Sequence, residues 1–111
     1  MIDTVTWPGA SGQTYETELY EIGTAFKRNP GIYIFCKRGI SAGRWTQIYV
    51  GETDDFQRRL RDELEHHQSW ECIRRNGGTH VCVRYVSGDR RTRLAVEADL
   101  RRGLNPPCNQ Q

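Results

Sequence analysis

Alternation of apolar and polar positions marks several short strands along this chain. Thr4-Val5-Thr6-Trp7 predicts one strand, Pro8 to Gly12 carries turn residues, and Thr14 to Tyr20 alternates loosely as the returning arm of a hairpin. After the loop Lys27 to Gly31, Ile32 to Lys37 predicts a strand. A flexible stretch over residues 38–45 leads to another at Thr46 to Val50, which stops at Gly51. Consecutive strands joined this way usually pair antiparallel. Period two then groups Tyr33 with Phe35, and Gln47 with Tyr49 and Gly51, so that Tyr33 and Tyr49 can share a face. His80 to Val86 alternates as a third core strand.

Helical spacing follows the strands. Thr53-Asp54-Asp55 signals a helix start, and Phe56, Leu60 and Leu64 form a stripe at spacing four. Arg59 sits at the edge of that stripe, Arg58 points to the far side, and His66 falls nearly on the Arg59 side, while His67 falls in the stripe. Trp70 to Arg75 predicts a short helix. Arg90 to Arg102 predicts a longer one, with Val96, Leu100 and Leu104 apolar, Glu97 at the stripe edge, and Gly103 and Pro106-Pro107 stopping it. The expected architecture is α+β: a small, mainly antiparallel three-stranded sheet with flanking helices, plus an N-terminal β-hairpin extension. One domain spans 1–111, with the extension at 1–29 and the core at 30–109.

Composition narrows the function. Mean hydropathy is −0.77, and 27% of residues are charged, yet recurring aromatic and β-branched runs keep the chain globular. No apolar run approaches roughly 18 residues, and the N-terminus lacks signal-peptide character, which predicts a cytoplasmic protein with no membrane partner. The net charge of +2 is too small to argue for nucleic acid by itself. Its distribution matters more, because Arg58, Arg59 and Arg61 cluster, as do Arg90, Arg91, Arg93, Arg101 and Arg102. The four cysteines, at 36, 72, 82 and 108, form no Cys-x-x-Cys pair and are expected as small buried thiols. A zinc site from His67, Cys72, His80 and Cys82 ranks well below that, because its spacing matches no standard set.

Gly31-Ile32-Tyr33 followed by Tyr49-Val50-Gly51 resembles the paired triplets of the GIY-YIG nuclease superfamily, with Val50 in place of Ile. Arg59 stands ten residues after Tyr49, where family members place a catalytic Arg. Glu97 and Asn109, twelve residues apart, resemble the Glu-to-Asn spacing in the nuclease domain of the bacterial excision-repair incision subunit. The likeness covers residues 31 to 109 and extends to small standalone bacterial and phage members. It implies a Mg²⁺- or Mn²⁺-dependent endonuclease that hydrolyses DNA phosphodiesters. Glu97 would hold the metal, Arg59 a non-bridging oxygen, Tyr33 would act as general base and Tyr49 would orient water or phosphate. Asn109 would position these groups, Gly51 would leave room for the DNA backbone, and Arg58 and Arg61 would contact phosphate.

Two positions depart from the family. Glu52 stands where many members carry Lys, and it suits a phosphate only by turning away or pairing with Arg. Glu63 stands where some carry His or Tyr, which leaves His66 as the nearest substitute base. With no room for a specificity domain, low sequence specificity is expected, or recruitment by a partner protein or a DNA structure. A nucleic-acid-binding module of the same fold without turnover is the alternative. A protein-interaction domain using Trp7, Trp45 and Trp70 is a third. Taken singly, each site residue also has a plain use: sheet packing for the tyrosines, i,i+4 ion pairs for Arg59 and Glu97, and a frayed end for Asn109.

Overall fold

The computed structural model describes residues 1–109. Five strands form one sheet: β1 (Asp3–Pro8), β2 (Thr14–Glu21), β3 (Gly31–Arg38), β4 (Trp45–Thr53) and β5 (His80–Tyr85). Their spatial order is β1-β2-β5-β3-β4, and every neighbouring pair is antiparallel. This corrects the expected three-stranded sheet with an appended hairpin. The hairpin is part of the sheet, because β2 pairs with β5 from Glu18↔Val83 to Glu21↔His80. The signal lies in β2 itself, where Tyr15, Thr17 and Leu19 are buried and their neighbours exposed. That alternation marks a face packed on a core, but not the strand beside it, because β5 lies too far along the chain for local alternation to reveal.

Helices cover both faces. On one, Tyr33, Phe35, Tyr49 and Val81 pack against Phe56, Leu60, Leu64 and Ile73 from the segment that ends in α1 (Trp70–Arg75). On the other, Leu19, Ile32, Ile34 and Val50 pack against Leu100 of α2 (Arg90–Leu104). The stripe Phe56, Leu60, Leu64 is buried as its spacing predicts. The segment is not a continuous α-helix, however. A π-helical turn (Arg58–Asp62) gives way at Glu63 to a 3-10 turn (Leu64–His66).

Two glycines differ from their expected use. β4 continues past Gly51 to Thr53, and α2 continues through Gly103 to Leu104, ending at Asn105 in the left-handed region (φ 50°). A Cβ at Gly103 would meet the backbone of Pro8, Gly9 and Ala10, so this glycine lets the β1–β2 turn sit directly on α2. The same turn grips Asp99 of α2: Ser11 donates from N and Oγ, and Tyr15 Oη donates at 2.7 Å. The hairpin therefore braces the helix that carries Glu97.

The cysteines divide. Cys36 and Cys82 are buried thiols on adjacent strands, with sulfurs 4.0 Å apart. Cys72 and Cys108 are instead joined as a disulfide, with Cα atoms 5.8 Å apart. That overturns the all-thiol expectation for this pair and removes Cys72 from any zinc site. No group of three or more His, Cys, Asp or Glu suited to a metal occurs among the described residues. Trp7 is buried, and Trp45 and Trp70 pack against the two cores, so the tryptophans do not form a common partner face. No helix among the described residues is long and apolar enough to cross a membrane.

Candidate active site

β4 is one of the two edge strands of the sheet, and a cleft of about 630 Å³ is lined by residues of it. Tyr33 and Tyr49 enter from one face, Glu97 and Arg101 from α2, and Arg59 from the π-helical turn. The register is Tyr33↔Gly51 and Phe35↔Tyr49, with a bulge before Cys36↔Gln47. The bulge separates Gln47 from Tyr49: Gln47 turns to donate to the Leu104 carbonyl, while Tyr49 stays beside Tyr33 at a ring distance of 6.2 Å. The expectation that Tyr33 and Tyr49 share a face holds, and the grouping of Gln47 with them does not.

The glycines of the two triplets have steric reasons. A Cβ at Gly51 would strike the Tyr33 ring and hydroxyl, and one at Gly31 would strike the Arg84 carbonyl and the Phe56 ring. Gly51 thus makes room for Tyr33.

Tyr33 Oη is the centre of the site. His67 Nδ1 accepts from the Ser69 backbone N–H at 3.0 Å. In the neutral ring the proton must then sit on Nε2, which donates to Tyr33 Oη at 2.8 Å. Burial, with Arg59 nearby, pushes His67 down to about 4, so the neutral ring prevails at pH 7. Arg59 Nε donates to the same oxygen at 3.4 Å. Tyr33 thus accepts from two donors, and its own proton is left to face the cleft. Burial raises its hydroxyl above the ordinary phenol range, as does the neighbouring Tyr49, while Arg59 opposes the rise. Burial and Glu97 likewise raise Tyr49.

Of the two histidines, it is His67 that contacts the site tyrosines: it is 4% exposed, as its place in the stripe predicts, and touches Tyr33 and Tyr49, whereas His66, beyond the break in the helix at Glu63, is exposed. The buried stripe was the signal that could have found it.

Glu97 is half-buried and accepts from Arg101 at 3.2 Å, the i,i+4 pair that its plain use foresees. Burial raises its carboxyl, Arg101 lowers it, and Glu52 adds a further rise. A half-buried carboxylate held above its usual range gains from a nearby cation. One hard oxygen donor with open cleft around it also suits Mg²⁺ or Mn²⁺, which keep several waters and take further ligands from phosphate. Glu97 thus fits a single-carboxylate metal site.

Glu52 turns its carboxylate to α2, where Arg90 (3.3 Å) and Arg93 (3.0 Å) each take one oxygen. Its charge is neutralised beside the cleft. Asn109 is a clamp: Oδ1 accepts from Val50 N–H at 2.8 Å and Nδ2 donates to the Val50 carbonyl at 2.9 Å. The amide thereby imitates a neighbouring strand on the β4 edge, between Tyr49 and Gly51, and the adjacent Cys108 is tied to α1. These two bonds go to backbone, and the side chain also borders the cleft. Arg61 donates to the Gly23 carbonyl, away from the cleft. Arg58 pairs with Asp54 and Glu63 and borders a neighbouring groove.

Tyr33, Tyr49, Arg59 and Glu97, which are up to 64 residues apart in the chain, therefore line one cleft. No family model, curated protein or solved structure was found to match this chain.

Proposed function

We propose that this protein is a metal-dependent endonuclease that hydrolyses DNA phosphodiester bonds with little intrinsic sequence specificity. The observation that carries this reading is the hydroxyl of Tyr33, held by His67 and Arg59 in the wall of a cleft that Glu97 also lines. The likeness of the two triplets to the GIY-YIG superfamily points the same way. Arg59 spends Nε on Tyr33 and keeps its other N–H groups for a non-bridging phosphate oxygen. A divalent ion bound at Glu97 would neutralise phosphate charge and stabilise the leaving oxygen. The donors His67 and Arg59 steady the Tyr33 phenolate, which takes the proton of the attacking water and becomes the neutral phenol as the resulting hydroxide attacks phosphorus. Tyr49 orients that water.

The test is nicking of supercoiled DNA in Mg²⁺ or Mn²⁺ by purified variants. Arg59→Ala and Glu97→Ala should each lose at least about 100-fold of the wild-type rate, in line with the loss of one preorganised charge-stabilising group. Full activity in either variant refutes the site assignment. A second reading, a nucleic-acid-binding module without turnover, is favoured by the burial that raises Tyr33. It requires DNA binding that survives Glu97→Ala, with no metal-dependent products from the wild type.

A further inference from the structure

A second groove, of about 320 Å³, adjoins the cleft and shares Glu52, Arg59 and Arg90 with it. Arg58, Arg90 and Arg93 line it together with Arg59, against only two carboxylates, Glu52 and Asp54. Both carboxylates are already engaged: Glu52 by Arg90 and Arg93, Asp54 by Arg58. Glu52 is withdrawn, its side chain 13% exposed, and the more open Asp54 (68%) is held by Arg58 (41%), while the Arg90 side chain is 72% exposed. Each guanidinium has five N–H donors, and Arg90 uses only Nε on Glu52, so donor edges remain turned to solvent. An anion entering here meets four guanidinium groups against two carboxylates, each of which is already paired with one or two of them.

We infer that this groove is a second phosphate subsite, one that takes a neighbouring phosphodiester of the same nucleic-acid strand whose scissile phosphate lies at Arg59. The inference rests on the reading of the cleft as a nuclease site. Arg59 lines both clefts, so a strand can pass from one to the other without leaving the protein surface. Guanidinium groups suit the planar, bidentate demands of a phosphodiester better than those of a lone metal or a neutral ligand.

Binding of a fluorescein-labelled oligothymidylate, followed by anisotropy in EDTA across a salt series, tests this separately from cleavage. The combined Arg58→Gln and Arg90→Gln variant should reduce the slope of log affinity against log salt by about 1.4, that is about 0.7 per lost phosphate contact on a single strand. Arg58→Lys with Arg90→Lys should restore most of the slope, which separates lost contact from lost fold. Arg38→Gln with Arg44→Gln removes the same charge at the far end of the β3–β4 hairpin and should leave the slope unchanged. An unchanged slope in the groove variant, or an equal loss in the far-end control, overturns the subsite even if the wild type cleaves DNA. A slope loss confined to the groove variant, in a protein that cuts nothing in Mg²⁺ or Mn²⁺, upholds the subsite and overturns the nuclease reading. No binding by the wild type overturns both.

Discussion

At Tyr33 Oη, burial works against ionisation while two donors, His67 and Arg59, work for it. Burial is the larger influence, so the neutral phenol dominates near pH 7 and the phenolate is the scarce, reactive form. Cleavage limited by that form should rise about tenfold per pH unit through the neutral and alkaline range, without a plateau below the ordinary phenol value near 10. A pH–rate profile flat from neutral to alkaline pH would remove Tyr33 from the base role. Tyr33→Phe keeps the ring that packs over Gly51 and should cost about 100- to 10,000-fold in rate with the fold retained by circular dichroism. His67 adds a stability signature. Its folded value, pushed down to about 4, lies below the ordinary value near 6.5, so the unfolded chain binds the extra proton between these limits. Stability should therefore fall as pH drops from about 6.5 to about 4, by on the order of 2–3 kcal/mol, and this loss should be absent from His67→Asn in urea melts.

The C-terminal 3-10 turn (Pro107–Asn109) is held to the β4 edge by two devices, the Asn109 amide on Val50 and the Cys72–Cys108 disulfide. Asn109→Ala leaves two edge backbone groups without their partner and should cost about 1–3 kcal/mol. Reducing the disulfide frees a loop of 36 residues and should cost up to about 4 kcal/mol by loop entropy. Because both act on one segment, their costs should combine to less than their sum in a double-mutant cycle with Cys108→Ala. Strict additivity in urea melts would show that the two devices act independently. At this scale the sequence was informative about strands and about apolar stripes, since those depend on local alternation. Phase was not: Ile32 to Lys37 and Trp70 to Arg75 follow their patterns closely, but one bulge beside Cys36 and one break at Glu63 redirect Gln47 and His66. Neither irregularity leaves a mark in residue spacing.

Over the whole molecule, long-range pairing was the part that could not be read locally. The insertion of β5 between β2 and β3 makes the hairpin integral to the sheet, and the hairpin turn in turn fastens α2 through Asp99 and Gly103. The spacing of Tyr33, Tyr49, Arg59 and Glu97 did carry the cleft, because each sits at a fixed place on an element that was itself legible. Spacing singled out Asn109 too, but its grip on Val50 was visible only once β4 proved to be an edge strand. Gly103→Ala should disturb the docking of hairpin on helix by about 1–3 kcal/mol, seen as a lower urea midpoint, since its Cβ meets backbone that cannot step aside. The most direct measurement is incubation of the wild-type protein with supercoiled, branched and single-stranded DNA in Mg²⁺ and in Mn²⁺. Metal-dependent nicked or shortened products, absent in EDTA, are expected. All three substrates left intact in both metals, by a folded protein, would contradict the assignment of this cleft to phosphodiester hydrolysis.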